Sequence, residues 1–132
     1  MGGAGQQRLL GASLLLHGHA PICATYLAAA GLGRLLVTGA PPEIASRDPS
    51  FRMDCVGTGE PADLVLDLGD GTAFRAAAAA RLWGGVVGGR VLLGDEPREG
   101  ARGTTPVLET LAAAEALRRL LGLPPHRYEF SG

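Results

Sequence analysis

Short apolar runs alternate along the chain with longer stretches of helical periodicity. The run SLLLH at 13–17 predicts a buried strand. A small-residue pattern over 21–30 predicts a helix, with Pro21 in its first turn and Gly31 at its end. RLLVT at 34–38 predicts a second strand, and Ala40-Pro41-Pro42 with the polar residues through Pro49 a loop or short turn of helix. Residues 51–56 read as an edge strand, and DLVLDL at 63–68 as a fully buried one. The alanine-rich segment TAFRAAAAARLWG predicts a helix over 72–84 that stops at Gly84-Gly85. VVGGRVLLG at 86–94 reads as one more strand, weakened in its middle by glycines. A charged connection over 95–103 leads to a last helix over 105–121, closed by Gly122 and barred from continuing by Pro124-Pro125. HRYEF at 126–130 reads as a final edge strand. This order predicts an α/β fold, a doubly wound and mostly parallel sheet between helical layers.

Composition narrows the chemistry. The 132 residues are expected to form a single domain over 1–132. Twelve basic and thirteen acidic residues nearly balance, so nothing points to a nucleic-acid surface. Every basic residue is arginine, which removes a phosphate-loop lysine, a Schiff-base lysine and a lysine general base. Cys23 and Cys55 lie far apart and outside any Cys-x-x-Cys pair, as expected of free thiols in a reducing cytoplasm. No stretch is long and apolar enough for a membrane span. Arg8 before LLGASLLL loosely imitates a leader, but its removal would discard the best candidate for a central strand.

The layout of 13–37 is that of a nucleotide-binding strand–turn–helix–strand unit. Its turn reads Gly18-His19-Ala20-Pro21, with a single glycine and a proline that has no N–H to donate. Where a ribose-binding acid would end the second strand, the chain has Thr38-Gly39. Asp67 and Asp70 lie at the carboxyl end of the 63–68 strand, where open α/β sheets place their ligands. Asp70 could hold Mg²⁺ beside a nucleotide, but a helix-capping role for it ranks ahead. His17, His19 and Cys23 offer zinc-ligand chemistry within seven residues, and Cys23 a nucleophile near a helix start. Both readings rank below ordinary buried or rim polar residues.

Taken together, GQQRLLGASLLLHG, TYLAAAGLGRLLV, ADLVLDLGDGTAFR and TPVLETLAAAEALRRLLG resemble, in order, segments of the HesA/MoeB/ThiF family of adenylating, ubiquitin-activating-like enzymes. The resemblance implies a Rossmann-like fold of that type in shortened form. It places Asp70 on the family's metal-associated aspartate and Arg75 on the motif arginine. It sets Ala113, Glu115 and Arg118 on the alanine, glutamate and lysine of the late helix. Members adenylate the terminal glycine of a small ubiquitin-like or sulfur-carrier protein with ATP.

The same resemblance shows what has gone. The glycine turn is replaced, the second-strand acid is absent, and the segment supplying nucleotide contacts is missing between Thr38 and Phe51. No pair of Cys-x-x-Cys zinc motifs occurs, nor a catalytic-cysteine loop before residue 104. The expectation is a degenerate domain with a vestigial nucleotide site at Gly18, His19, Ala20, Asp70 and Arg75 and no catalytic residues. It would need no cofactor and serve as a cytoplasmic binding or assembly partner. Its companion would be a full-length ThiF-like homologue or a small ubiquitin-like or sulfur-carrier protein, in a homo- or heterodimer, without nucleic acid or membrane. The alternative is an active adenylyltransferase that uses ATP, with Mg²⁺ on Asp70, through an altered site. A third reading, a nicotinamide-dinucleotide oxidoreductase, has no feature in its favour.

Overall fold

The computed structural model describes residues 3–44, 50–77, 80–94, 96–101, 103–124 and 128–131. The elements run α1 (Gly3–Leu10), β1 (Ser13–His17), α2 (Pro21–Ala29), β2 (Arg34–Val37), β3 (Arg52–Cys55), β4 (Leu64–Asp67), α3 (Thr72–Ala76), β5 (Arg81–Val87), β6 (Arg90–Gly94), α4 (Pro106–Leu120) and β7 (Tyr128–Ser131). One sheet holds seven strands in the order β3-β2-β1-β4-β5-β6-β7. The first four pairings in that order are parallel and the last two antiparallel. This is the mostly parallel α/β sheet that the apolar pattern predicts. β3 and β7 lie at its two edges, as read from the sequence.

The core divides across the sheet because successive strand side chains point to opposite faces. Leu14, Leu16, Leu35, Val37, Leu64, Leu66 and Leu82 meet Cys23, Leu27, Leu108 and Ala112 from α2 and α4 on one face. Leu15, Leu36 and Val65 meet Ala73 of α3 on the other. β1 and β4 have apolar residues on both faces because both are covered.

Two expectations fail in the same region. The helix expected over 72–84 ends at Ala76, Ala77 is extended, and Arg81–Val87 is a strand. Alanine propensity is a weak preference, and burial beside β4 overrides it. Leu66 faces Leu82 and Asp67 faces Trp83 in parallel register, and both Leu82 and Trp83 are fully buried. The Arg81 guanidinium stacks on the Phe74 ring, 4.6 Å from its centroid, and donates to the Phe74 carbonyl at 3.3 Å. Gly84 and Gly85 are strand residues rather than a helix stop. A Cβ at Gly85 would come within 2.6 Å of the Trp83 ring, so the glycine makes room for the indole.

The strand expected over 86–94 is instead a hairpin. Gly88 and Gly89 both have positive φ, 57° and 77°, and Val87 pairs with Arg90. A two-residue turn of this kind needs glycine-like conformations at both positions. The helix α1 was not expected from the sequence. Leu9 and Ala12 are buried near it, and Gly33 admits the Leu10 carbonyl where a Cβ would collide.

Candidate nucleotide-type site at the strand switch point

Strand order reverses between β1 and β4, which pair in parallel with His17 opposite Asp67. A doubly wound sheet opens a crevice at the carboxyl ends of such a pair. Gly18, His19, Ala20 and the start of α2 form one wall. Asp67, Asp70, Arg75 and the start of α3 form the other.

On the first wall, Gly18 has φ of 103°, and a Cβ there would lie 3.0 Å from the Leu68 carbonyl carbon and oxygen. The Leu68 N–H also donates to the His17 carbonyl at 2.8 Å. The glycine is therefore required by close approach of the neighbouring strand end, independent of any phosphate. His19 is exposed and Ala20 buried. Ala20 caps α2 without a side-chain hydrogen bond, and Pro21 follows it.

The next two N–H groups of α2 are occupied. Ile22 and Cys23 both donate to Oε1 of Glu109, at 3.0 and 3.3 Å. Oε2 of Glu109 accepts from the Thr104 hydroxyl at 3.3 Å. Glu109 is buried, reaching across from the first turn of α4. Unpaired N–H groups and the helix dipole favour an anion at this place; here the chain supplies its own carboxylate. Sequence reasoning did not single out Glu109, because an acid in a helix's first turn is unremarkable without its long-range partner.

The second wall retains exposed charge. Asp70 Oδ1 accepts from the Thr72 N–H at 2.9 Å and lies 2.9 Å from His17 Nε2. The Thr72 N–H above all, then the Thr72 hydroxyl and His17, hold the Asp70 carboxyl well below the ordinary carboxylate range. The capping function expected of Asp70 is present in this turn, although Gly71 occupies the formal cap position. Arg75 curls back so that Nη1 reaches the Asp70 carbonyl at 3.3 Å. Asp67 is fully buried, with Oδ1 accepting from the Gly69 N–H at 2.8 Å and Oδ2 from the Phe74 N–H at 3.0 Å. Thr38, standing where a ribose-binding acid was sought, has its hydroxyl 2.7 Å from His17 Nδ1.

His17, His19 and Cys23 do not come together as metal ligands, in keeping with their ranking as ordinary buried or rim residues. Among the described residues the metal-type cluster that forms is His17 with Asp67 and Asp70, whose ligand atoms all lie within 4.8 Å of one another. Cys23 points into the core, where burial first and the Glu109 charge second push its thiol up to about 12. A thiol held neutral in this way is no nucleophile.

The residues present fit a triphosphate poorly. The α2 amides are already bonded, and the space at Gly18 is taken by the Leu68 backbone. For Mg²⁺ the fit is partial, since Asp70 is exposed but shares its oxygen with an imidazole nitrogen, a donor that Mg²⁺ disfavours.

No protein-family model matches this sequence, and no curated protein does. Solved structures do match its fold. The microcin C7 biosynthetic enzyme MccB, in complex with N-formylated MccA, superposes with a TM-score of 0.69 at 11% identity, over 97% of this chain and 64% of that one. E. coli MccB with ATP gives 0.71 at 12% identity, over 97% and 63%. PaaA gives 0.69 at 12% identity, over 96% and 62%. The chain thus spans less than two thirds of the length of each of these structures. Among the described residues no helix is long and apolar enough to cross a membrane. MccB and PaaA are ThiF/MoeB-family adenylating enzymes, and the described chain shares their Rossmann-like fold.

Proposed function

We propose that the chain is a degenerate ThiF-like domain, one unit over 1–132, that binds or assembles with another protein and does not itself adenylate. The observation that carries this reading is the Glu109 carboxylate on the Ile22 and Cys23 amides. A phosphate approaching α2 would have to displace a buried anion that has two backbone donors and a hydroxyl. Each charge-assisted hydrogen bond forgone is worth about 1.5–3 kcal/mol, so displacement is unfavourable before any nucleotide contact forms. The absent segment between Thr38 and Phe51 and the missing second-strand acid support the same conclusion.

MccB has been solved with N-formylated MccA, a precedent for a polypeptide companion on this fold. We place the partner in the same chemical class: a full-length ThiF-like homologue or a small ubiquitin-like or sulfur-carrier protein, in a homo- or heterodimer. Free thiols at Cys23 and Cys55 suit the cytoplasm. Isothermal titration of the isolated chain with Mg-ATP tests the reading. The expected result is no heat of binding at micromolar nucleotide, and micromolar affinity would sink it.

One observation favours a second reading, an active adenylyltransferase with an altered site. Asp70 remains exposed and ionised beside Arg75, and MccB has been solved with ATP. Pyrophosphate exchange with a co-occurring ubiquitin-like protein separates the two, since exchange requires acyl adenylation.

A further inference from the structure

At the switch point two carboxylates and an imidazole converge, His17, Asp67 and Asp70. Asp67 is wholly buried, and its carboxylate accepts hydrogen bonds from the Gly69 and Phe74 amides. Asp70 stands beside it across His17. A buried carboxylate requires a compensating cation or strong hydrogen bonding to persist. His17 is grouped with both acids, its ligand atom and theirs all lying within 4.8 Å of one another, while Arg75 Nη1 bonds the Asp70 carbonyl rather than its carboxylate.

A Cβ at Gly69 would meet His17 Cδ2 at 3.3 Å, His17 Nε2 at 3.5 Å and Asp67 Oδ1 at 3.6 Å, so the imidazole and the buried carboxylate both pack closely against this turn. Asp70 Oδ1 lies 2.9 Å from the same Nε2, a spacing compatible with two ligands on one ion of about 2.1 Å bond length. The Thr38 hydroxyl, 2.7 Å from Nδ1, can accept a hydrogen bond from an N–H at that position. With Nδ1–H held by Thr38 in this way, loss of the proton that Nε2 shares with Asp70 turns the Nε2 lone pair to the two acids, the role that outer-sphere partners of metal-binding histidines commonly play.

We propose that His17, Asp67 and Asp70 bind a divalent transition-metal ion of borderline softness, such as zinc or cobalt, directly and without nucleotide, with Thr38 fixing the imidazole tautomer. One nitrogen and two carboxylates suit such an ion better than Mg²⁺, which prefers an all-oxygen shell. The divalent charge balances the two carboxylates, and the proton on Nε2 leaves to solvent as the ion enters. This site depends on the geometry at the switch point and not on the proposed function. ATP binding would overturn that function and leave this inference standing.

The test is a titration of the full chain, carrying Cys55→Ser to remove the exposed thiol, with CoCl2, ZnCl2 and MgCl2 and no nucleotide. One equivalent of Co²⁺ should bind with a visible spectrum of nitrogen and oxygen ligation lacking thiolate charge transfer, Zn²⁺ should displace it, and Mg²⁺ should bind at least about tenfold more weakly. His17→Gln and Asp70→Asn should each lower Co²⁺ affinity more than tenfold, and Thr38→Val by about tenfold. His19→Gln should leave it unchanged. Absence of stoichiometric Co²⁺ or Zn²⁺ binding overturns the proposal, as does affinity unchanged in His17→Gln. Should His17→Gln fail to fold, Asp70→Asn at its exposed position decides the matter alone.

Discussion

The two walls of the switch-point crevice have had opposite fates. At the start of α2 the chain has turned inward: the amides of Ile22 and Cys23 hold Glu109, and Gly18 is pressed against Leu68. At the start of α3 it still faces outward, with Asp70 exposed and Arg75 folded beside it. The first wall is where an anion would bind and the second where a cation would. A single buried carboxylate from a distant helix occupies the amides of one wall, while on the other wall the Asp70 carboxylate remains exposed. The closed half cannot be recognised from its turn alone, because the closing group comes from a distant helix.

The largest way to break this contrast is to remove the plug. Glu109→Ala should destabilise the chain by roughly 2–3 kcal/mol, since it leaves two buried amides of α2 without their acceptor. Urea denaturation followed by circular dichroism measures it. A loss below about 0.5 kcal/mol would mean that the carboxylate does not hold the helix start. Phosphate stabilising the alanine variant and not the parent would show that the anion seat remains serviceable beneath the plug.

Gly18→Ala sharpens the same wall at lower cost. A positive φ and a Cβ 3.0 Å from the Leu68 carbonyl should together cost on the order of 1–3 kcal/mol, read as a shift in the urea midpoint. A neutral result would return the glycine to a ligand-facing role.

The smallest effect lies on the open wall. The folded state holds the Asp70 carboxyl below its ordinary value, so the linked stability is present above the unfolded pKa of about 3.9 and disappears as pH falls through the lower folded value. Asp70 is mostly exposed, and solvent screening keeps the contribution small. In acid titrations of stability, Asp70→Asn should flatten the decline below about pH 4. An unchanged acid profile would show that the Thr72 and His17 contacts carry no net stabilisation.

The apolar pattern gave strands at Ser13–His17, Arg34–Val37 and Leu64–Asp67 and helices at Pro21–Ala29 and Pro106–Leu120 to within a residue or two. These elements are amphipathic or wholly apolar, so local sequence and burial agree. The alanine run broke that agreement. From Arg81 onward the register beside β4 and the burial of Trp83 outweighed helix propensity. The turn-capping role of Asp70 and the absent second-strand acid were likewise legible, being local features, whereas the packing of Gly18 against Leu68 was not. Glu109 was not, because its bond to Ile22 spans 87 positions. Nor was the cluster of His17 with Asp70, separated by 53.

By itself the sequence determined the alternation of strands and helices and the residue types at the strand ends; the order of the strands, and with it the switch point, came from the tertiary structure. Periodicity and turn chemistry act over a few residues and can be read from a few. Only the tertiary structure decided that α2 is capped by the chain's own carboxylate, that Cys23 is withdrawn into the core, and that His17 rather than a glycine loop confronts the two aspartates. Those outcomes depend on which strand ends lie adjacent and which helix starts are left with unpaired amides, and packing alone settles that.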